Sequence, residues 1–325
     1  MNRQPSRRAL LIGIDLFPGL AGRDLQGCVA DAEAVRDALS GRFGFAPESL
    51  TLLRNGQATR KGILDALEQL IDASQPDDIV TLFCASHGVQ QRVSDGSKAS
   101  GYAEAIAAHD VYWGAGRFEN VIAEAELRQR LRRLAAITPY VTLIFDCCHS
   151  ATLHRPLPGP DDGELVFTGA RYLEPPAGAT RDAPMPDPDD ARIFGADVLP
   201  DPNRYVILAA CRNRQIAGEV RIGGQHRGRF SYWLVKEMQS ARPELSYRSL
   251  MQLVRAQFPG TENDNQQPQL EGAVDRHLGA GQEKTDDVQG SDRVGGQRCV
   301  GAVQQLLHGR VVGVEHQGGQ SPATT

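Results

Sequence analysis

Two short apolar runs constrain this chain more than any other feature: Ile79-Val80-Thr81-Leu82-Phe83-Cys84 and Val141-Thr142-Leu143-Ile144-Phe145. Continuous apolar runs of this length, rich in β-branched and aromatic residues, suit strands of a parallel sheet that is covered on both faces. Each run opens at its carboxyl end onto a polar cluster, Ala85-Ser86-His87-Gly88 after the first and Asp146-Cys147-Cys148-His149-Ser150 after the second. Ligands of open α/β sheets bind beyond the carboxyl ends of the strands, so a histidine and a cysteine are expected at one functional edge. A thiol becomes a strong nucleophile at neutral pH when a base stands beside it, and the two clusters therefore carry the parts of a Cys-His dyad.

The segments around these runs alternate. Residues 8–14 read as a strand, 28–39 as a helix and 49–53 as a strand; 59–72 read as a helix with apolar positions at Ile63, Leu64, Leu67, Leu70 and Ile71. Strands follow at 78–84, 140–145 and 205–209, and helices at 122–134, 230–238 and 247–258. Right-handed crossovers between such strands place helices on both sides of the sheet. The expected fold class is α/β, with a mostly parallel central sheet flanked by helices on both faces. One domain is expected over residues 1–272. Within it, 153–202 read as a long mobile surface loop rich in Pro, Asp and Gly, and 273–325 follow as a disordered or irregular Gly-, Gln- and Arg-rich tail.

At 325 residues, with 41% hydrophobic and 23% charged, the chain is long enough to bury a full core. Its net charge of -5 gives no electrostatic reason to expect a nucleic-acid partner. Asp15 interrupts the amino-terminal apolar stretch, which therefore reads as a strand rather than a signal peptide. No run approaches the length that spans a bilayer, so no membrane association is expected. The six cysteines, Cys28, Cys84, Cys147, Cys148, Cys211 and Cys299, are scattered without disulfide-framework spacing, which points to the reducing cytoplasm.

Successive side chains on an extended segment point to opposite faces, so Cys147 and Cys148 cannot both aim at His87. Spacing alone does not choose between them. The sequence Asp146-Cys147-Cys148-His149-Ser150, preceded by Ser86-His87-Gly88 after the earlier strand, resembles the metacaspase and orthocaspase branch of the caspase-like cysteine peptidases. Three further segments carry the resemblance: Gly27-Cys28-Val29-Ala30-Asp31-Ala32, then Ile207-Leu208-Ala209-Ala210-Cys211-Arg212 with Gln215 and Glu219, then Gly228-Arg229-Phe230-Ser231. All lie in the family's order, over roughly residues 8–272.

The resemblance implies a caspase-like fold and a cysteine endopeptidase in which Cys148 is the nucleophile and His87 its base. The backbone N–H groups of Gly88 and Cys148 would form the oxyanion hole. It also implies a first specificity pocket lined by the carboxylates of Asp31 and Asp146, with Cys28 as part of its wall. The substrates would be proteins or peptides carrying Arg or Lys at the cleaved position. The family's serine two residues before the histidine is replaced here by Ala85, which leaves one pocket hydrogen bond without its usual partner. The Gln-Ala-Cys-x-Gly signature of caspases that cut after Asp does not occur.

Competing readings attach to several of these residues. Cys28, Cys84, Cys147 and Cys211 also read as small packing side chains, and His149 as a hydrogen-bonding residue beside the nucleophile. Cys84 and His87 with Cys147, Cys148 and His149 would supply enough ligands for a zinc-binding module. Adjacent ligands on one strand end make that geometry awkward, and no metal site is assigned. A catalytically silent scaffold of the same fold is a further alternative. No cofactor is required by the sequence. The acidic cluster Asp182, Asp187, Asp189 and Asp190 matches no EF-hand, yet it keeps calcium, which several members of the resembled family require, as an optional cofactor. Arg155, Arg171, Arg181 and Arg192 in the 153–202 stretch are expected sites of self-processing by a basic-specific enzyme. The oligomeric state is not set by the sequence.

Overall fold

The computed structural model describes residues 3–92, 102–148, 165–176, 199, 201–212, 215–242, 244–258 and 266–278. Strand and helix alternate from the amino terminus as expected: β1 (Arg7–Gly13), α1 (Cys28–Phe43), β2 (Leu50–Arg54), α2 (Arg60–Ala73) and β3 (Ile79–Ala85). Three strands then intervene, β4 (Gly88–Arg92), β5 (Tyr102–Gly114) and β6 (Arg117–Ala123), before α3 (Glu124–Ile137) and β7 (Tyr140–Asp146). The remaining elements are β8 (Leu165–Ala170), β9 (Tyr172–Leu173), β10 (Tyr205–Ala209), β11 (Gly218–Ile222), β12 (Gln225–Gly228), α4 (Arg229–Ser240), α5 (Tyr247–Arg255) and β13 (Gln269–Gly272).

Six strands form the central sheet in the order β13-β10-β7-β3-β1-β2. Every pairing in it is parallel except that of β13, which runs antiparallel to β10. On one face Ile79, Thr81, Thr142, Ile144 and Leu208 meet Leu39 of α1, Met238 of α4 and Leu250 of α5. Val80, Leu82, Val141 and Leu143 alternate with these and point to the opposite face, where α2 and α3 pack on each other and reach β1 and β7. Burial on both faces is the physical reason that the two runs are apolar at every position but Thr81 and Thr142.

Local chemistry fixes the helix ends. Thr59 accepts the Gly62 N–H at 3.1 Å and starts α2, whose residues Ile63, Leu64, Leu67, Leu70 and Ile71 are buried at helical spacing. The chain leaves α1 through Gly44 at φ +68°, a left-handed conformation in which glycine carries no Cβ penalty.

The structure departs from the sequence reading in three places. Ile122 and Ala123 belong to β6 rather than to the following helix, which begins at Glu124. No Gly or Pro separates the two elements, so one apolar stretch runs across their joint. The hairpins also escape the sequence reading: β4, β5, β6 and β9 form a four-stranded sheet and β8, β11 and β12 a three-stranded one.

The third departure falls in the 153–202 stretch read as a mobile loop. Leu165–Ala170 and Tyr172–Leu173 are strands there, and Arg171 between them is fully buried. These strands are short, and their partners are supplied by residues 218–222 and 88–89, far away in sequence. A Pro- and Asp-rich average hides such segments. Residues 153–164, 177–198 and 200, with Arg155, Arg181, Arg192 and the acidic cluster, lie outside the described residues. So do His149, Ser150 and the tail from residue 279, with Cys299. Residues 273–278 pack on the domain, with the Ala273 N–H donating to the Tyr205 carbonyl at 2.8 Å and Leu278 buried. Among the described residues no helix is long and apolar enough to cross a membrane.

Candidate active site

Strands β3 and β7 lie side by side with Ala85 opposite Asp146. Two residues beyond that pair, the segment after β3 carries His87 and the segment after β7 carries Cys148. The backbones approach closely here: a Cβ on Gly88 would overlap the Cys148 carbonyl, so the position requires glycine. His87 is buried beneath Phe17, with ring centroids 4.9 Å apart. Its Nε2 lies 2.7 Å from the carbonyl oxygen of Arg23. A carbonyl only accepts, so Nε2 carries the ring proton and Nδ1 is left as the basic nitrogen. Nδ1 is buried without a hydrogen-bond partner among the described residues.

Burial lowers His87 to about 4; the Arg23 carbonyl opposes that shift and the Arg171 charge adds to it. The ring is neutral at pH 7. The loop that delivers Arg23 is tied down by polar side chains of its own and by that of Asn55. Asp24 accepts the Phe17 N–H at 2.8 Å, Asn55 accepts the Asp15 N–H at 2.8 Å, and Asp15 accepts the Cys28 N–H at 2.7 Å, at the start of α1.

Cys148 is fully buried, and its Sγ accepts the Ala217 N–H at 2.7 Å. Burial pushes the Cys147 thiol well above its ordinary range and the Cys84 thiol to about 12, so both stay protonated. Cys28 and Cys211 are likewise buried and free. Among the described residues the zinc-module ligands Cys84, His87, Cys147 and Cys148 form no close group of three. Only Asp15, Cys28 and Glu219 bring ligand atoms within 4.8 Å of one another. Those two carboxylates already accept N–H groups, Asp15 from Cys28 and Glu219 from Gln26 and Gly27.

The centre of the site is filled by Arg171. Its carbonyl oxygen accepts both the Gly88 N–H at 2.9 Å and the Cys148 N–H at 3.1 Å, while its own N–H donates to the Ala217 carbonyl at 3.0 Å. Its guanidinium enters a pocket of carboxylates. Nη2 lies 2.6 Å from Asp31 Oδ2 and 3.4 Å from Glu219 Oε1, and Nη1 lies 2.9 Å from Asp146 Oδ2. Each carboxylate is held by further donors: Asp31 by Arg227 Nε at 2.6 Å and the Gly228 N–H at 2.7 Å, Asp146 by the Ser231 hydroxyl at 2.6 Å, and Glu219 by the Gly27 N–H at 2.7 Å. Such forked, charge-assisted contacts from two or more directions suit a guanidinium.

Asp31 and Asp146, which the family resemblance implies as partners, both lie on the Arg171 guanidinium, and Cys28 is buried within the field of Arg171. Glu219, Arg227, Gly228 and Ser231 belong to the same site. Glu219, Gly228 and Ser231 lie within segments that carry the family resemblance, but nothing in their spacing marks them as pocket residues. The orienting carbonyl of Arg23 has no sequence signal, because every residue carries one.

Burial raises the Asp31 carboxyl to about 6, against the lowering pull of Arg171 and Arg227. It is a carboxylate at pH 7 and takes up a proton as pH falls through about 6. The grip on a guanidinium therefore weakens on acidification, at a pH where His87, at about 4, is still neutral. The expected result is that a guanidinium ligand offered to this pocket binds more weakly as pH falls through about 6; binding unchanged between pH 7 and pH 5 would contradict this origin.

A family model for the caspase domain matches residues 6–278. The chain is 25% identical over 280 residues to Metacaspase-1 of Schizosaccharomyces pombe, covering 78% of this chain and 64% of that relative. It is 27% identical over 299 residues to Metacaspase-1A of Aspergillus fumigatus, covering 81% and 68%. The chain thus spans roughly two thirds of the length of these relatives. Among solved structures it is similar in fold to a Geobacter sulfurreducens protein, with TM-score 0.59, 19% identity and coverage of 86% of this chain and all of the other. A second likeness is to Caspase-1 from Spodoptera frugiperda, with TM-score 0.51, 13% identity and coverage of 88% and 93%.

Proposed function

The chain belongs to the caspase-domain peptidase family, and from that premise we propose that it is a cysteine endopeptidase that cuts proteins after arginine, and less readily after lysine. Its first substrate is its own Arg171-Tyr172 bond. One observation carries this reading: a basic residue of the chain lies with its side chain among three carboxylates and its carbonyl oxygen between two backbone N–H groups beside the cysteine that resembles the family's nucleophile.

The chemistry follows from the positions. Nδ1 of His87 takes the proton of the Cys148 thiol, and the thiolate attacks the arginine carbonyl carbon. Negative charge then develops on the oxygen that already faces the N–H groups of Gly88 and Cys148. As the tetrahedral species collapses, the C–N bond breaks and the imidazolium returns its proton to the leaving amine. Water, deprotonated by the same histidine, hydrolyses the thioester and frees the thiol. The Arg23 carbonyl keeps the ring in the tautomer this sequence needs. Arginine is favoured over lysine because Asp31 and Asp146 each receive a separate Nη group, which a single ammonium cannot reproduce. That none of the five described cysteines is in a disulfide supports a reducing, cytoplasmic setting.

Peptide amides ending in Arg, Lys or Asp, assayed on purified protein with and without calcium, test the proposal. Hydrolysis in the order Arg, then Lys, with none after Asp is expected, and the calcium arm reports on the acidic cluster. Preference for Asp, or no hydrolysis in any arm by a folded chain, would favour a different specificity or the silent scaffold.

A further inference from the structure

The chain on the far side of Arg171 is seated as firmly as the arginine. Tyr172 and Leu173 form β9, which pairs in parallel with β4, Tyr172 opposite Gly88 and Leu173 opposite Val89. Leu173 and Val89 are both fully buried and belong to the main apolar cluster, whereas Tyr172 is partly exposed against it. On the near side, Ala170 and Gly169 pair antiparallel with Gly218 and Glu219 of β11. One extended segment therefore crosses the site from β11 to β4, with Arg171 at the crossing. A strand added to a sheet edge gains affinity from its main chain and selectivity from the pockets beneath alternate side chains.

Beyond the cleaved bond, the buried side chain is the second one. We propose that the groove along β4 is a leaving-side binding site that takes the segment following the cut bond of a protein substrate as a parallel strand, and selects an apolar side chain of about leucine size at its second position. This rests on the peptidase reading above. Hydrolysis of Arg171-Tyr172 creates a carboxylate on Arg171 and an ammonium on Tyr172 in a buried place. Hydration of these new charges draws the segment out and frees the groove for substrates in trans. A charged residue in the Leu173 position would lose its hydration without gaining a partner, so the site discriminates by rejection as well as by fit.

The wild-type full chain is given two internally quenched peptides, Thr-Gly-Ala-Arg-Tyr-Leu-Glu and the same sequence with Asp in place of Leu, together with a fluorogenic amide that ends at the arginine. The expected result is hydrolysis of the amide and a kcat/KM for the Leu peptide at least about tenfold above that for the Asp peptide. A smaller ratio, with the amide hydrolysed, overturns the leaving-side site and leaves the peptidase reading intact. No hydrolysis of any of the three overturns both.

Discussion

Cys148→Ala and His87→Ala should each lower turnover of arginine peptides by about 10⁴-fold or more, whereas Cys147→Ala keeps most of the activity. In the proposed mechanism the first two variants remove the groups between which the proton passes. His87 is neutral at pH 7, holds its proton on the nitrogen that faces the Arg23 carbonyl, and offers the other as base. Cys147 sits next in the chain, and successive side chains of an extended segment point to opposite faces, so it does not share the direction of Cys148; burial pushes its thiol well above the ordinary range. Rates from purified variants, compared at matched folded concentration by circular dichroism, decide the matter. Appreciable turnover by Cys148→Ala would assign the nucleophile elsewhere.

A single methyl group should close the specificity pocket. Gly228 precedes α4 at φ -65° and ψ 129°, a conformation open to any residue, and its N–H donates to Asp31 at 2.7 Å. A Cβ there would overlap Asp146 Oδ2 and Arg171 Nη1, and would lie 2.7 Å from Arg171 Cζ. Gly228→Ala therefore leaves the backbone unstrained but takes the space that the guanidinium occupies. Overpacking of this kind corresponds to a loss of about 100-fold in kcat/KM for arginine peptides. Modification of Cys148 by a small uncharged alkylating agent should persist in the variant, while labelling by an arginine-containing peptide alkylator is lost. Equal labelling of variant and wild type by the arginine reagent would show that the pocket lies elsewhere.

The parts of this protein legible in its sequence are those whose physics is local. Residues 79–84 and 141–145 are apolar but for one threonine each because helices cover both sides of the sheet, and such a run is legible without knowledge of any partner. The polar clusters after them follow from the same rule, so His87 and Cys148 could be placed at one edge from spacing alone. The choice of Cys148 over Cys147 could not, and came from the family resemblance. Strands whose partners are distant left little trace: Leu165–Ala170 pairs with residues around 220, and Tyr172–Leu173 with residues 88 and 89. Arg171 was one of four arginines in a polar stretch, and nothing local separates it from the others. Its selection depends on three carboxylates contributed by α1, β7 and β11, a convergence that only the tertiary fold creates.

The most direct test of self-cleavage at Arg171 is mass spectrometry of the purified wild-type chain, with sequencing of its new amino terminus, beside Cys148→Ala. The bond is already in the site of its own chain, so scission should be first order and independent of protein concentration. The expected result is a pair of fragments, 1–171 and 172–325, with a new terminus at Tyr172 in the wild type and an uncut chain in the variant. A wild type that hydrolyses arginine amides yet is never cut after Arg171, or an identical cut in Cys148→Ala, would contradict it.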